Sequence, residues 1–158
     1  MKKYIKHMFF VSLLLCATIL SFGQEKWDRE QRQIIGTMNK LSETTALKGG
    51  GAEAYGWFLS DDFSRWTIGS STTNSKKDWV HGIREWFDDG WRVSDRKQQL
   101  IEIHMMDGLA HTRRIVSETY LGPDGTTSKS KAALNEIWIK EKDKWLLYRV
   151  NILPLEAQ

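Results

Sequence analysis

Glu136 and Arg149 stand on two alternating apolar segments, Ala132–Lys140 and Trp145–Ile152, joined at Glu141-Lys142-Asp143-Lys144. A two- or four-residue loop between the segments gives one hairpin register. It sets Glu136 opposite Arg149, Trp138 opposite Leu147 and Leu134 opposite Asn151 on a single face. A carboxylate and a guanidinium beside an indole suit the anchoring of a polar ligand at a pocket mouth. In another use Arg149 holds a ligand carboxylate and Asn151 adds a neutral hydrogen-bonding group. The competing reading is a plain ion pair on a partly exposed sheet face, worth under about 1 kcal/mol.

Three further groups carry candidate chemistry. His104 and His111 face each other across a hairpin centred on Asp107-Gly108, with Glu102 two residues away on the same face. Opposed imidazoles can hold a transition metal. The polar character of that face (Glu102, His104, His111, Arg113) argues instead for solvation. Arg114 and Glu118 share the apolar face with Ile101, Ala110 and Val116, so each needs a partner there. They can pair with each other or with Asp61 or Asp62. If desolvated at a pocket rim, Asp61 or Asp62 would serve as a general base; solvation at a helix end is the alternative. His81 and Glu85, four apart on a helix, read as a solvated pair. The chain shows no phosphate-binding loop, nucleophile elbow or zinc-ligand spacing, and no cofactor is expected.

The elements that must position these groups follow from periodicity. Glu25–Leu47 reads as a first helix with Trp27, Ile34, Ile35, Met38 and Leu41 on one stripe. Gly49-Gly50-Gly51 breaks it, and Ala52–Ser60 reads as a short second helix ended by Asp61-Asp62. Phe63–Ile68 starts a strand. Ser75-Lys76-Lys77-Asp78 has the form of a capping box opening a third helix that runs to about Asp88. Lys97–Met105 and Leu109–Leu121 are strands, and Asp107-Gly108 favours a type I′ turn. Gly122-Pro123-Asp124-Gly125 turns the chain into the terminal hairpin. The order predicts an α+β fold with three N-terminal helices on one face of a curved antiparallel sheet.

The chain's 158 residues allow one ordinary domain. Lys2, Lys3 and Lys6 precede the apolar run Met8–Leu20, and Ser21-Phe22-Gly23 offers a cleavage site before Gln24. This is the pattern of a signal peptide spanning 1–23, ahead of a single domain over 24–158. Cleavage would leave a periplasmic or secreted protein with no stable membrane span. The 23 basic residues exceed the 20 acidic ones only by those three leader lysines, so charge gives no argument for nucleic acid. Cys16, the one cysteine, lies in the leader, which excludes disulfides and a thiol nucleophile from the mature chain. All eight tryptophans lie beyond the leader. They fill a small core or line an aromatic pocket.

Several short pieces, in this order, resemble the nuclear transport factor two-like superfamily, in particular its SnoaL-like branch. They are Trp57-Phe58-Leu59-Ser60-Asp61-Asp62-Phe63, Asp107-Gly108-Leu109-Ala110, Glu136-Ile137-Trp138 and Lys144-Trp145-Leu146-Leu147. The resemblance covers nearly all of the mature chain. It implies a cone in which a curved sheet and helices enclose one pocket, with the outer sheet face forming a homodimer. The superfamily holds isomerases, dehydratases, cyclases, hydrolases and non-catalytic modules, so fold does not choose among them.

Two family patterns are missing. Where dehydratase-like members carry an Asp and a His, this chain reads Leu47-Lys48-Gly49-Gly50 and Arg96-Lys97-Gln98-Gln99. Where binding-type members carry His after the last-strand Trp, it has Arg149 and Asn151. The reading is therefore a small-molecule binder with a pocket drawn from Tyr55, Trp57, Trp66, Trp91, Arg114, Glu136, Trp138, Arg149 and Asn151. The alternatives are a lyase or isomerase working through Asp61 or Asp62, and a non-catalytic homodimerisation module.

Overall fold

A computed structural model describes residues 26–157. The leader, its cleavage point and Cys16 lie outside the described residues. Helix α1 (Arg29–Glu43) starts later than its apolar stripe suggests, because Asp28 caps it. The Asp28 carboxylate accepts from the Gln31 N–H at 2.8 Å, and the Gln31 side chain accepts from the Asp28 N–H at 2.9 Å. This reciprocal box satisfies two orphan donors of the first turn. Ile34, Met38 and Leu41 form the buried face of α1. Helix α2 spans only Gly51–Gly56, and strand β1 begins at Leu59. Asp61 and Asp62 therefore lie inside β1 (Leu59–Thr67), beside an irregularity in its pairing, and do not end a helix. After the short β2 (Asn74–Ser75), Ser75 and Asp78 cap α3 (Lys76–Asp88) as expected.

Four long strands follow: β3 (Arg92–Met106), β4 (Leu109–Leu121), β5 (Thr127–Glu141) and β6 (Lys144–Leu155). The sheet runs β2-β1-β6-β5-β4-β3. It is antiparallel except at β1–β6, which pair parallel, so the six-stranded curved sheet is mixed. Ala110, Trp138, Leu147 and Val150 on its inner face pack with Ile34, Met38 and Leu41 of α1 to form the core.

Two registers matter for the site. The central hairpin pairs Met105 with Ala110, His104 with His111 and Glu102 with Arg113, as its turn position predicts. The turn itself differs: only Gly108 takes positive φ there. The left-handed pair that defines a type I′ turn sits at Lys142 and Asp143, in the terminal hairpin. In that hairpin Trp138 does face Leu147, but the register then shifts by one residue at Tyr148. Beyond the shift Glu136 faces Val150, Leu134 faces Ile152, and Arg149 faces Ile137. A one-residue slip moves every later side chain to the opposite face. Arg149 and Asn151 thus share the outer face with Ile137, and the expected Glu136–Arg149 pair does not form. A second bulge, between Leu100 and Glu102, turns Ile101 outward, where half of it is exposed.

Candidate ligand-binding site

The β4–β5 pairing runs without interruption from Leu109↔Ile139 to Leu121↔Thr127. Alternation therefore carries Thr112, Arg114, Val116, Glu118 and Tyr120 to the inner face. Leu134, Glu136, Val150 and Ile152 join them from β5 and β6. Helices α1, α2 and α3 contribute Leu41, Tyr55 and Trp79. All of these but the fully buried Thr112 line a cavity of about 330 Å³. A neighbouring compartment shares Tyr55, Trp79, Arg96, Glu118 and Tyr120 with it and adds the apolar Ile83, Trp86 and Val93.

Two of the arginines are matched. Arg114 donates from Nε and Nη2 to Glu136, the Nη2 contact being 2.7 Å. Thr112 donates its hydroxyl to the same carboxylate at 2.8 Å and receives the Trp138 indole N–H at 3.2 Å. Arg96 pairs with Glu118 at 2.5 Å and reaches Thr45 Oγ1 at 2.8 Å. Tyr120 donates to Glu118 at 2.7 Å. Burial first, and the Glu118 charge second, push the Tyr120 phenol up to about 12. Burial also raises the Tyr55 phenol.

Arg65 is different. It comes from β1, two residues after the core residue Phe63 and on the same face. Its guanidinium carbon lies 4.1 Å from the centre of the Trp79 ring, a cation–π stack. Nη1 donates to Thr67 Oγ1 at 3.0 Å. Nε is buried with no hydrogen-bond partner, and the buried indole Nε1 of Trp79 makes none of full geometry, although it acts on the Tyr55 phenol. The other two such atoms among the described residues, on Ser60 and Trp145, do not line the cavity. Desolvation pulls the Arg65 guanidinium below its ordinary value, and among the described residues no carboxylate acts on it.

The residues expected to form the pocket separate into distinct places. Tyr55, Arg114 and Glu136 line the cavity. Trp138 is completely buried in the core. Trp57 is 77% exposed, outside the cavity. Trp66 sits beside Asn151 on the outer face, its indole donating to the Ser70 carbonyl. Trp91 packs against Gly122 at the far end of β4. Arg149 donates to the carbonyls of Asp62 and Tyr148 and stacks on the Tyr148 ring.

Asp61 is fully exposed and pairs with Lys76 at 2.9 Å, and Asp62 is exposed as well, so neither is desolvated as a buried general base requires. His104 is exposed, while His111 bonds Asn135 and Glu102 pairs with Arg113. Among the described residues no three metal-ligating side chains converge. Arg65, Trp79, Arg96 and Tyr120 line the cavity without being among the site residues expected from the sequence. For Arg65 the usable signal was its place two residues after Phe63.

No family model and no curated protein matches the chain. Solved structures do. A ketosteroid isomerase-like protein from Erwinia carotovora is 12% identical, with a TM-score of 0.64 over 83% of this chain and 100% of its own. A nuclear transport factor 2-like protein of unknown function from Prochlorococcus marinus is 10% identical, with a TM-score of 0.65 over 84% and 97%. A protein from Exiguobacterium sibiricum, named for the calcium/calmodulin-dependent kinase II association domain, is 13% identical, with a TM-score of 0.68 over 84% and 98%. At these identities the likeness is one of fold.

Proposed function

From the nuclear transport factor two-like fold of this chain, we propose a small-molecule-binding protein whose ligand sits in the cavity between the sheet and the helices. The observation that carries this is the cavity itself. It is of ligand size, near the lower end of the roughly 300–1,000 Å³ typical of such sites. Its walls combine aromatic and aliphatic surface with convergent polar groups. On its wall the buried Arg65 Nε has no acceptor among the described residues.

In this reading the protein is exported, on the strength of the leader pattern in its first 23 residues. A second copy covers the outer sheet face, where Ile101, Ile137 and Leu153 are exposed. The solvated positions of Asp61 and Asp62 speak against acid–base chemistry through them.

Native mass spectrometry of the protein purified from its exported fraction tests the binding reading. The expected result is an added mass of roughly a few hundred daltons per chain, the size of ligand such a cavity holds. Ala132→Trp, which places an indole in the cavity, should remove it. A protein that carries no such mass and takes up no small aromatic probe would count against a binding role.

A further inference from the structure

We propose that the ligand is a small aromatic carboxylic acid whose carboxylate docks on Arg65. This rests on the reading of the cavity as a binding site and adds the chemical class of its occupant.

Among the described residues the inward charges of the cavity are three arginines, Arg65, Arg96 and Arg114, and two carboxylates, Glu118 and Glu136, Lys131 alternating to the opposite sheet face with Ser117. Both carboxylates are fully engaged. Glu118 takes Arg96 and Tyr120, and Glu136 takes Arg114 and Thr112. Neither reaches Arg65. The ionisable groups that do act on Arg65 are the phenols of Tyr55 and Tyr120. Both phenols are raised above their usual value, so they stay neutral at ordinary pH and leave the guanidinium without a counter-ion among the described residues. A partly buried charge among indole and phenol rings needs one.

The geometry selects among anions. Trp79 covers one face of the guanidinium, and Thr67 takes Nη1. Thr67 and Trp79 leave the Nη2 group without a partner among the described residues, and the Nε–Nη2 edge is the fork that takes one carboxylate. A phosphate dianion calls for more than one open cation at the same spot, and Arg96 and Arg114 are already neutralised. The body of the ligand follows from the walls. Beside Arg65, Trp79, Tyr55 and Tyr120 line both the cavity and the neighbouring compartment of Ile83, Trp86 and Val93. Flat aromatic and aliphatic surface of this kind suits an aromatic ring.

The test uses matched probes of one shape, 2-naphthoic acid and 2-naphthamide, titrated calorimetrically into the full-length mature protein. The wild type should bind the acid at least tenfold more tightly than the amide. Arg65→Met should abolish that preference, the acid losing at least tenfold more affinity than the amide; Arg65→Gln carries the same expectation should the Met variant not fold. Equal binding of acid and amide by the wild type overturns the carboxylate assignment while the cavity remains a binding site. An acid preference that survives both substitutions removes Arg65 from the site. Binding of neither probe refutes the cavity reading and this inference with it.

Discussion

Arg114 and Glu136 form an ion pair within the protein interior, 2.7 Å from Nη2 to Oε1, with 6% and 1% of their side chains exposed. Glu136 faces Thr112 directly across β4–β5, and Arg114 reaches it along the diagonal. The arrangement fixes the wall of the cavity opposite the helices, because three donors converge on one carboxylate. Desolvation of both charges is offset only while the set is complete.

The first prediction concerns that completeness. Glu136→Leu alone leaves a buried unpaired guanidinium and should destabilise the fold by about 3–5 kcal/mol. Arg114→Met alone leaves the carboxylate with only Thr112 and should cost a similar amount. The double variant removes both charges together and should lie within about 2 kcal/mol of the wild type. Urea unfolding of the four proteins closes a double-mutant cycle. Additive single effects would mean that the two residues do not act as a pair.

The second prediction follows from the bulge at Tyr148. Arg149 lies on the outer face and bonds backbone carbonyls, so Arg149→Ala should change stability by no more than about 1 kcal/mol. It should leave the affinity for 2-naphthoic acid unchanged within error. A marked loss of binding in a folded Arg149→Ala protein would place Arg149 in the site despite its register.

Local signals were the ones legible in the sequence. Ser75 and Asp78 make a cap within four residues, and the central hairpin keeps its register back to Glu102 because its short turn pins both strands. The Asp28–Gln31 cap was equally local but hidden behind an apolar stripe that begins at Trp27. Non-local features were not legible. No residue type marks the extra residue at Tyr148, yet it exchanges Val150 for Arg149 on the inner face. The parallel pairing of β1 with β6 joins segments more than 80 residues apart, and it alone brings Arg65 beside Val150. Buried charge was legible in kind: Arg114 and Glu118 were placed among apolar neighbours and required partners. Their actual partners, Glu136 and Arg96, depend on strand pairing across the whole sheet.

The third prediction contrasts two glycines. Gly90 ends the α3 turn with φ +87, and a Cβ there would lie 2.8 Å from the Pro123 ring. Gly90→Ala meets both a left-handed backbone and a clash, and should destabilise by about 2–4 kcal/mol. Gly36 lies inside α1 with open space where a Cβ would stand. Gly36→Ala should stabilise by about 0.5–1 kcal/mol through helix propensity alone. Thermal unfolding of the two variants should therefore shift in opposite directions. A neutral Gly90→Ala would show that the contact between the α3 end and the 122–126 turn is loose.

The fourth prediction is a loss of stability in alkali. The folded protein holds the Tyr120 proton to about pH 12, mainly through burial and then through the Glu118 charge. The unfolded chain releases it near pH 10. Between these values the unfolded state binds fewer protons, so stability falls as pH rises through the window and is fully present below it. Tyr55, also raised by burial, acts in the same direction. Urea midpoints measured from about pH 9 to about pH 11.5 should fall steadily for the wild type. Tyr120→Phe should fall less steeply, and the double variant with Tyr55→Phe less again. If Tyr120→Phe leaves the slope unchanged, the phenol is not held in its neutral form by the pocket.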